Sequence, residues 1–305
     1  MFEQKIRPML AYSSPPFDSP EHIFEVKWDG TRCILFSKRG EVRLQNRRLL
    51  DITYRYPELQ GLWRRIRAKE AILDGELVVL EEGRPSFEKL QQREHISDPL
   101  KIELLSERLP ATYIAFDLLF LEGEDFTSRP LTERRRHLDG IIEEGEGLIL
   151  SRFVEERGTV FLKEVVSRGL EGVMAKEKGS PYLVGKRSRH WLKIKPRRRA
   201  ICHIMGYSRG KGEREGLFGS LLLATREEGK WVYRGRVGSG FSAEEMQRIH
   251  ALMKGLEVRE GVLKVDLKGA RWVKPHLRCE VLYQELTPEG RFRAPVFLRL
   301  LEGEG

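Results

Sequence analysis

Charged side chains recur inside, or at the ends of, short apolar runs through the first two thirds of this 305-residue chain: Lys27, Asp29, Glu76, Asp117, Glu171, Lys176, Lys193 and Lys195. An ion buried without a partner is costly. Taken singly, each position reads as a solvent-facing site on a strand. Taken together, they predict one convergent, water-poor pocket, with lysines turned to phosphates and carboxylates turned to a divalent metal or ribose hydroxyls. Neither a GxxxxGK[ST] loop nor a GxGxxG fingerprint occurs. Phosphate chemistry in this chain therefore rests on side chains, not on a glycine loop.

The charges are densest in FEVKWDGTRC, residues 24–33, where Phe24, Val26 and Trp28 alternate with Glu25, Lys27 and Asp29. That alternation predicts a half-buried strand, and Gly30 followed by a second β-like run to Phe36 predicts a hairpin over 24–45. Lysine is inert while protonated and becomes a nucleophile where cationic neighbours or a metal favour the neutral amine. Lys27, with Lys193, Lys195, Arg32 and a metal ion as the positive field, is the candidate.

Residues 8–11 read as a docking segment. Helical spacing appears at 57–67, with Pro57 in the first turn, and again at 132–144 and 159–168. Strand-like runs occupy 71–80, 113–121, 171–176 and 191–195. After 196–200 the texture changes to short, glycine-containing strands with one helix starting near Ser242, where Glu245 completes a capping box. Met246, Ile249, Met253 and Leu256 give that helix a core-facing stripe. The fold class expected is α+β: a mixed α/β domain over 1–197, then a small OB-fold β-barrel domain over 198–305.

Bulk properties narrow the class further. Apolar residues make up 40% and charged residues 33%, which describes a globular chain. No run approaches the roughly 20 apolar residues of a membrane helix, and MFEQKIRPML lacks the apolar core of a secretory signal. Cys33, Cys202 and Cys279 are too few and too scattered for a disulfide framework or zinc site, and point to a reducing cytoplasm. The formal net charge of +9 favours a polyanionic partner. The basic clusters at 64–67, 134–136 and 196–199 read as solvated faces. The seven histidines form no metal-spaced cluster.

LysTrpAspGlyThrArg (27–32) resembles the KxDGxR signature of covalent nucleotidyltransferases. Its companions follow in order: AsnArgArg (46–48), AspGlyGlu (74–76), AlaPheAspLeuLeu (115–119), GluGlyValMetAlaLys (171–176), TrpLeuLysIleLys (191–195) and ArgPheArgAlaProValPheLeuArg (291–299). Within that superfamily the chain resembles the short bacterial ATP-dependent DNA ligases, akin to the ligase domain of the end-joining repair enzyme. RNA ligases, capping-type nucleotidyltransferases and a non-catalytic nucleic-acid-binding protein are the alternatives.

The resemblance implies an ATP-grasp-like nucleotidyltransferase (adenylation) domain followed by the OB-fold, with Lys27 attacking ATP to give lysyl-AMP. It implies Glu25 at the adenine edge, Arg32 and Arg47 at ribose or phosphate, Glu76 at a ribose hydroxyl and Phe116 against the base, although Phe116 by itself reads as a core aromatic. Lys193, Lys195 and Lys176 would hold the α-phosphate, and Glu171, with Glu76, a divalent Mg²⁺ or Mn²⁺. The partners implied are nicked or broken double-stranded DNA and the bacterial end-binding repair ring protein. The protein implied is a monomer in the nucleoid-containing cytoplasm with no membrane. Asp29 and Asp117 are open between structural and metal-directed roles. The chain departs from the family in AsnArgArgLeu at 46–49, which leaves Arg47 and Arg48 as competing registers. It departs again in its end, LeuLeuGluGlyGluGly, where the usual basic residue is missing and Arg293 or Arg299 is the available substitute.

Overall fold

The computed structural model describes residues 2–263, 265, 267 and 269–301. Residues 302–305, on which part of the C-terminal departure falls, lie outside them. The chain divides into two compact units, Met1–Pro196 and Arg197–Gly305.

Two sheets build the first unit. The central one runs Glu41–Asn46, Thr31–Lys38, Glu70–Glu81, Ala111–Leu121, Glu124–Asp125, with Arg84–Pro85 and Leu148–Leu150 added at its flanks. Its strands are buried on both faces, which is why they read as nearly unbroken apolar runs. Alternate residues divide between two cores. Cys33, Leu35 and Leu73 pack outward against Leu59 and Leu62 of the 3₁₀ segment Pro57–Arg65 and against Leu138 of the helix Leu131–Ile141. Ile34, Phe36 and Ile72 face inward, toward Phe116, Tyr182 and Trp191.

The second sheet is ordered Leu10–Ser13, Arg187–Ile194, Val173–Glu177, Ser19–Val26, Phe153–Glu156. The segment expected to dock at 8–11 supplies its edge strand. The outer face buries Phe24, Val173, Ala175 and Ile194 under Leu162 and Val165 of the helix Gly158–Ser167. The resulting layers are helix, sheet, sheet and helix, with a polar cavity between the sheets.

The hairpin expected at 24–45 does not form. Ser19–Val26 and Thr31–Lys38 belong to different sheets, so residues 27–30 are a crossover between them, and the true hairpin joins Thr31–Lys38 to Glu41–Asn46. Strand periodicity is the same on either side of a two-residue turn or a sheet-to-sheet crossover, so the pattern could not separate them. A Cβ on Gly30 would lie 2.2 Å from the Leu77 carbonyl oxygen. That close approach, not a turn, accounts for the glycine.

The solvated-face reading of 134–136 also fails in part. Arg134 and Arg135 are buried, and only Arg136 is exposed. Arg134 grips Asp117 through two bonds of 2.7 and 2.9 Å and also donates to the carbonyls of Arg129 and Ser180. A helix that buries two arginines reads as polar in sequence. Two further helices, Phe87–Glu94 and Pro99–Arg108, fall in a stretch for which the sequence predicted no element.

The second unit is a curled sheet ordered Lys230–Val237, Phe218–Glu227, Arg198–Arg209, Ala270–Val273, Glu257–Val258, extended by Arg278–Tyr283 and Val296–Leu301. The long strand Arg198–Arg209 changes partners midway. Arg198 to His203 pair with Arg278–Tyr283, and Gly206 to Ser208 pair with Ala270–Val273. Gly206 sits at that corner because a Cβ there would meet the Arg271 carbonyl at 2.4 Å. The helix Ala243–Lys254 starts at the expected capping box of Ser242 and Glu245 and buries Met246, Ile249 and Met253 in the core. The second unit is thus a strongly curled sheet around a single packed helix, as expected of an OB-like barrel. The three cysteines are free and buried, and no helix among the described residues is long and apolar enough to cross a membrane.

Candidate active site

The crossover places Lys27 where the two sheets diverge. Its backbone N–H is fixed by the Gly172 carbonyl at 2.8 Å, and its amine pairs with the Glu171 carboxylate, which also takes Lys195. Beside it lies a cavity of about 270 Å³ lined from both sheets. Eight residues singled out from the sequence line it: Glu25, Lys27, Arg32, Arg47, Glu76, Phe116, Lys176 and Lys193. Glu171 and Lys195 are outside that lining and join it through the shared ion pair with Lys27. Arg48, Asp29 and Asp117 do not line it. Arg293 and Arg299 belong to the second unit, where they pair with Glu285 and Glu280. Asp117 is committed to Arg134, with both side chains fully buried, which makes it structural.

One end of the cavity is apolar. Phe116 and Trp191 pack edge to face, 6.2 Å between centroids, and two cations stand over their rings. The Lys176 amine lies 4.2 Å from the Phe116 centroid and 4.4 Å from that of Trp191, and the Arg32 guanidinium lies 4.6 and 5.3 Å away. Neither cation is loose. Arg32 forks onto Asp74 with two 2.5 Å bonds, and Asp74 also accepts from the Tyr182 hydroxyl, itself held by the Met9 N–H at 2.9 Å. Lys176 pairs with Glu25 at 2.8 Å, and Arg135 approaches the other Glu25 oxygen at 3.5 Å. Burial pulls the Lys176 amine below its usual value against the opposing pull of Glu25. A carboxylate beside an ammonium is an acceptor next to a donor. Such a pair complements the adjacent donor and acceptor on the edge of a purine.

The lining is also strongly charged. Partial burial lowers the Lys193 amine, and the neighbouring Arg187, Lys195 and Lys27 lower it further, so an anion bound there relieves repulsion. Burial pushes the Glu76 carboxyl up to about 8, opposed by Arg32 and Lys27 and reinforced by Asp74 and Glu171. No group of three or more His, Cys, Asp or Glu able to hold a metal occurs among the described residues. The donor set nonetheless fits Mg²⁺, which is bound through one or two carboxylates plus substrate phosphates. Glu76 would gain a counter-ion that its desolvated carboxyl lacks, and Glu171 would exchange lysines for the ion.

Sequence reasoning missed Arg187, Trp191 and Met174 as lining residues, although the last two lie inside motifs that it quoted. It also missed Asp74 and Tyr182. Only pairing across 108 residues brings those two together, so no local signal could have revealed it.

Most of the chain is similar to known proteins. Residues 8–195 match the family model of the ATP dependent DNA ligase domain, and residues 214–303 match that of the ATP dependent DNA ligase C terminal region. The multifunctional non-homologous end joining protein LigD of Mycolicibacterium smegmatis is 32% identical over 94% of this chain and 37% of its own length. A DNA ligase of Thermococcus fumicolans is 32% identical over 96% of this chain and 54% of its own. The chain thus spans about a third to a half of the curated relatives it matches. The crystal structure of the ligase domain from M. tuberculosis LigD superposes with a TM-score of 0.58 at 31% identity, covering 97% of this chain and 95% of that one. This chain belongs to the ATP-dependent DNA ligase family.

Proposed function

We propose that the protein is an ATP-dependent DNA ligase that joins a 5′-phosphate to a 3′-hydroxyl in nicked or broken duplex DNA. The observation that carries this reading is the Lys27 amine beside a cavity whose lining combines Phe116 and Trp191 under cationic caps with further lysines and arginines, suited to a purine and its phosphates. Residues 1–197 act as the adenylation domain and 198–305 as the OB-fold domain.

In this reading Phe116 and Trp191 hold the base, and Lys176, expected at the α-phosphate but paired with Glu25 and standing over both rings, reads the base edge together with Glu25. Glu76 meets the ribose, and Arg32 and Arg47 meet ribose or phosphate. The Lys27 ammonium leaves its pairing with Glu171, releases a proton to solvent, and the neutral amine attacks the α-phosphorus of ATP as pyrophosphate leaves. Lys193 and Lys195 neutralise the α-phosphate through this in-line transfer. The lysyl phosphoramidate passes AMP to the DNA 5′-phosphate, and the 3′-hydroxyl then displaces AMP. Glu171 and Glu76 would hold a divalent ion, which would supply charge neutralisation at the phosphates. The resemblance to LigD-type proteins supports a role in double-strand-break repair in the DNA-containing cytoplasm, with the bacterial end-binding ring protein as recruiting partner.

Incubation with α-labelled ATP and a divalent ion tests the first step. Label is expected on the protein with ATP and not with GTP, and is expected to vanish in Lys27→Ala. Sealing of a nicked DNA duplex, beside the same nick in RNA, tests the whole reaction. Labelling that survives in Lys27→Ala removes the assigned nucleophile.

A further inference from the structure

A second cavity, of about 650 Å³, shares Val26 and Trp28 with the first and therefore abuts the segment that carries Lys27. Its wall combines two features that seldom occur together in a plain core groove. Aromatic surface comes from Trp28, whose indole N–H is fixed on the Ser151 hydroxyl at 3.2 Å, and from Phe161 and Phe153, the last 37% exposed. Cationic surface comes from Arg84, Arg152 and Arg168, against a single lining carboxylate, Glu82. Arg84 is exposed and has no ion-pair partner among the described residues. Arg152 and Arg168 pair with Glu144 and Glu164 at exposed positions. Such pairs contribute little and exchange readily for phosphate.

We propose that this cavity receives an unpaired nucleotide at the end of a nucleic-acid strand, its base on the aromatic surface and its phosphates on the arginines. A base inside a duplex has both faces covered by its neighbours, so an aromatic wall gains nothing from it. An unstacked base offers a free face, and stacking plus backbone cations is how single strands are held. Charge complementarity selects a polyanion over an apolar peptide. The inference rests on the ligase reading, because strand ends are the substrate of that reaction, and it adds the frayed or overhanging end as the form that is gripped.

The test is crosslinking of the full chain to a short single-stranded oligonucleotide carrying 5-iododeoxyuridine, with peptide mapping. Binding of the same oligonucleotide and of a blunt duplex is measured alongside. Crosslinks are expected at Trp28 or within residues 149–161. Arg84→Glu and Phe153→Leu are each expected to weaken single-strand binding on the order of tenfold, with duplex binding and Lys27 labelling nearly unchanged. Crosslinks confined to other surfaces, or equal weakening toward both DNA forms, overturn the proposal. Failure of the unaltered chain to label on Lys27 overturns the ligase reading instead, and the crosslink map still decides the occupant of this cavity.

Discussion

Asp117 and Glu76 are both acidic residues within apolar strands, and the environment gives them opposite characters. Asp117 is fully buried but bidentate with Arg134, so its removal leaves an uncompensated guanidinium in the interior. Asp117→Ala is expected to cost about 3–5 kcal/mol and to lower Tm on the order of 10 °C. At temperatures where the variant is folded, labelling of Lys27 should persist. Calorimetry alongside the labelling assay separates the two. Glu76 has no such partner, and burial raises its carboxyl from the ordinary 4.5 to about 8. Between those values the folded protein holds a proton that the unfolded chain has released, so this group's contribution to stability declines as pH rises through the window. Wild type should lose Tm relative to Glu76→Gln from pH 5 to 8, and parallel curves would contradict the assignment. A divalent ion bound at Glu76 would compete with that proton, so its stabilising effect should grow toward pH 8.

The crossover at 27–30 is the element that converts two ordinary sheets into a reactive site. It hangs Lys27 from one sheet through the Gly172 carbonyl and presses Gly30 against Leu77 of the other. Gly30→Ala would force the backbone from the Leu77 carbonyl, and the displacement is passed to Lys27 three residues away. Misplacement of a reacting group by about 1 Å costs about a hundredfold in rate. The variant should lose stability by about 1–3 kcal/mol and, at temperatures where it is folded, label at least tenfold more slowly in single-turnover labelling. Wild-type rates would show that the crossover tolerates the shift. The helix Leu131–Ile141 acts at the same scale. It delivers Arg134 to Asp117 and Arg135 to the Phe116 and Ser151 carbonyls, bracing the strand that carries Phe116.

For the whole molecule, the surplus of positive charge makes the proposed binding of duplex DNA salt-dependent. With a net +9, affinity for a nicked duplex should fall linearly in log–log against salt, with a slope of about −0.9 per phosphate neutralised. Six or more contacts predict a loss of at least about a thousandfold between 50 and 200 mM, read by anisotropy at each salt concentration. A flat response would assign the basic surplus to some other partner. The cavity beside Lys27 lies wholly within the unit Met1–Pro196, so on the ligase reading ATP affinity should be far less sensitive to salt than DNA affinity.

By itself the sequence determined the α+β class, the change of texture after residue 196, the helix capped by Ser242, and eight of the residues that line the cavity. These are local properties: strand and helix periods, a cap, and short motifs in which the residues that touch a ligand sit next to each other in the chain. Tertiary structure decided what depends on contacts between distant segments. It turned the expected hairpin into a crossover, because identical alternation serves either connection. It took Asp117 out of the site by supplying Arg134, buried two arginines of a run that reads as solvated, and brought Tyr182 to Asp74. A charged residue inside an apolar strand announces only that it needs a partner. Which partner arrives, a ligand or another part of the fold, is settled by packing.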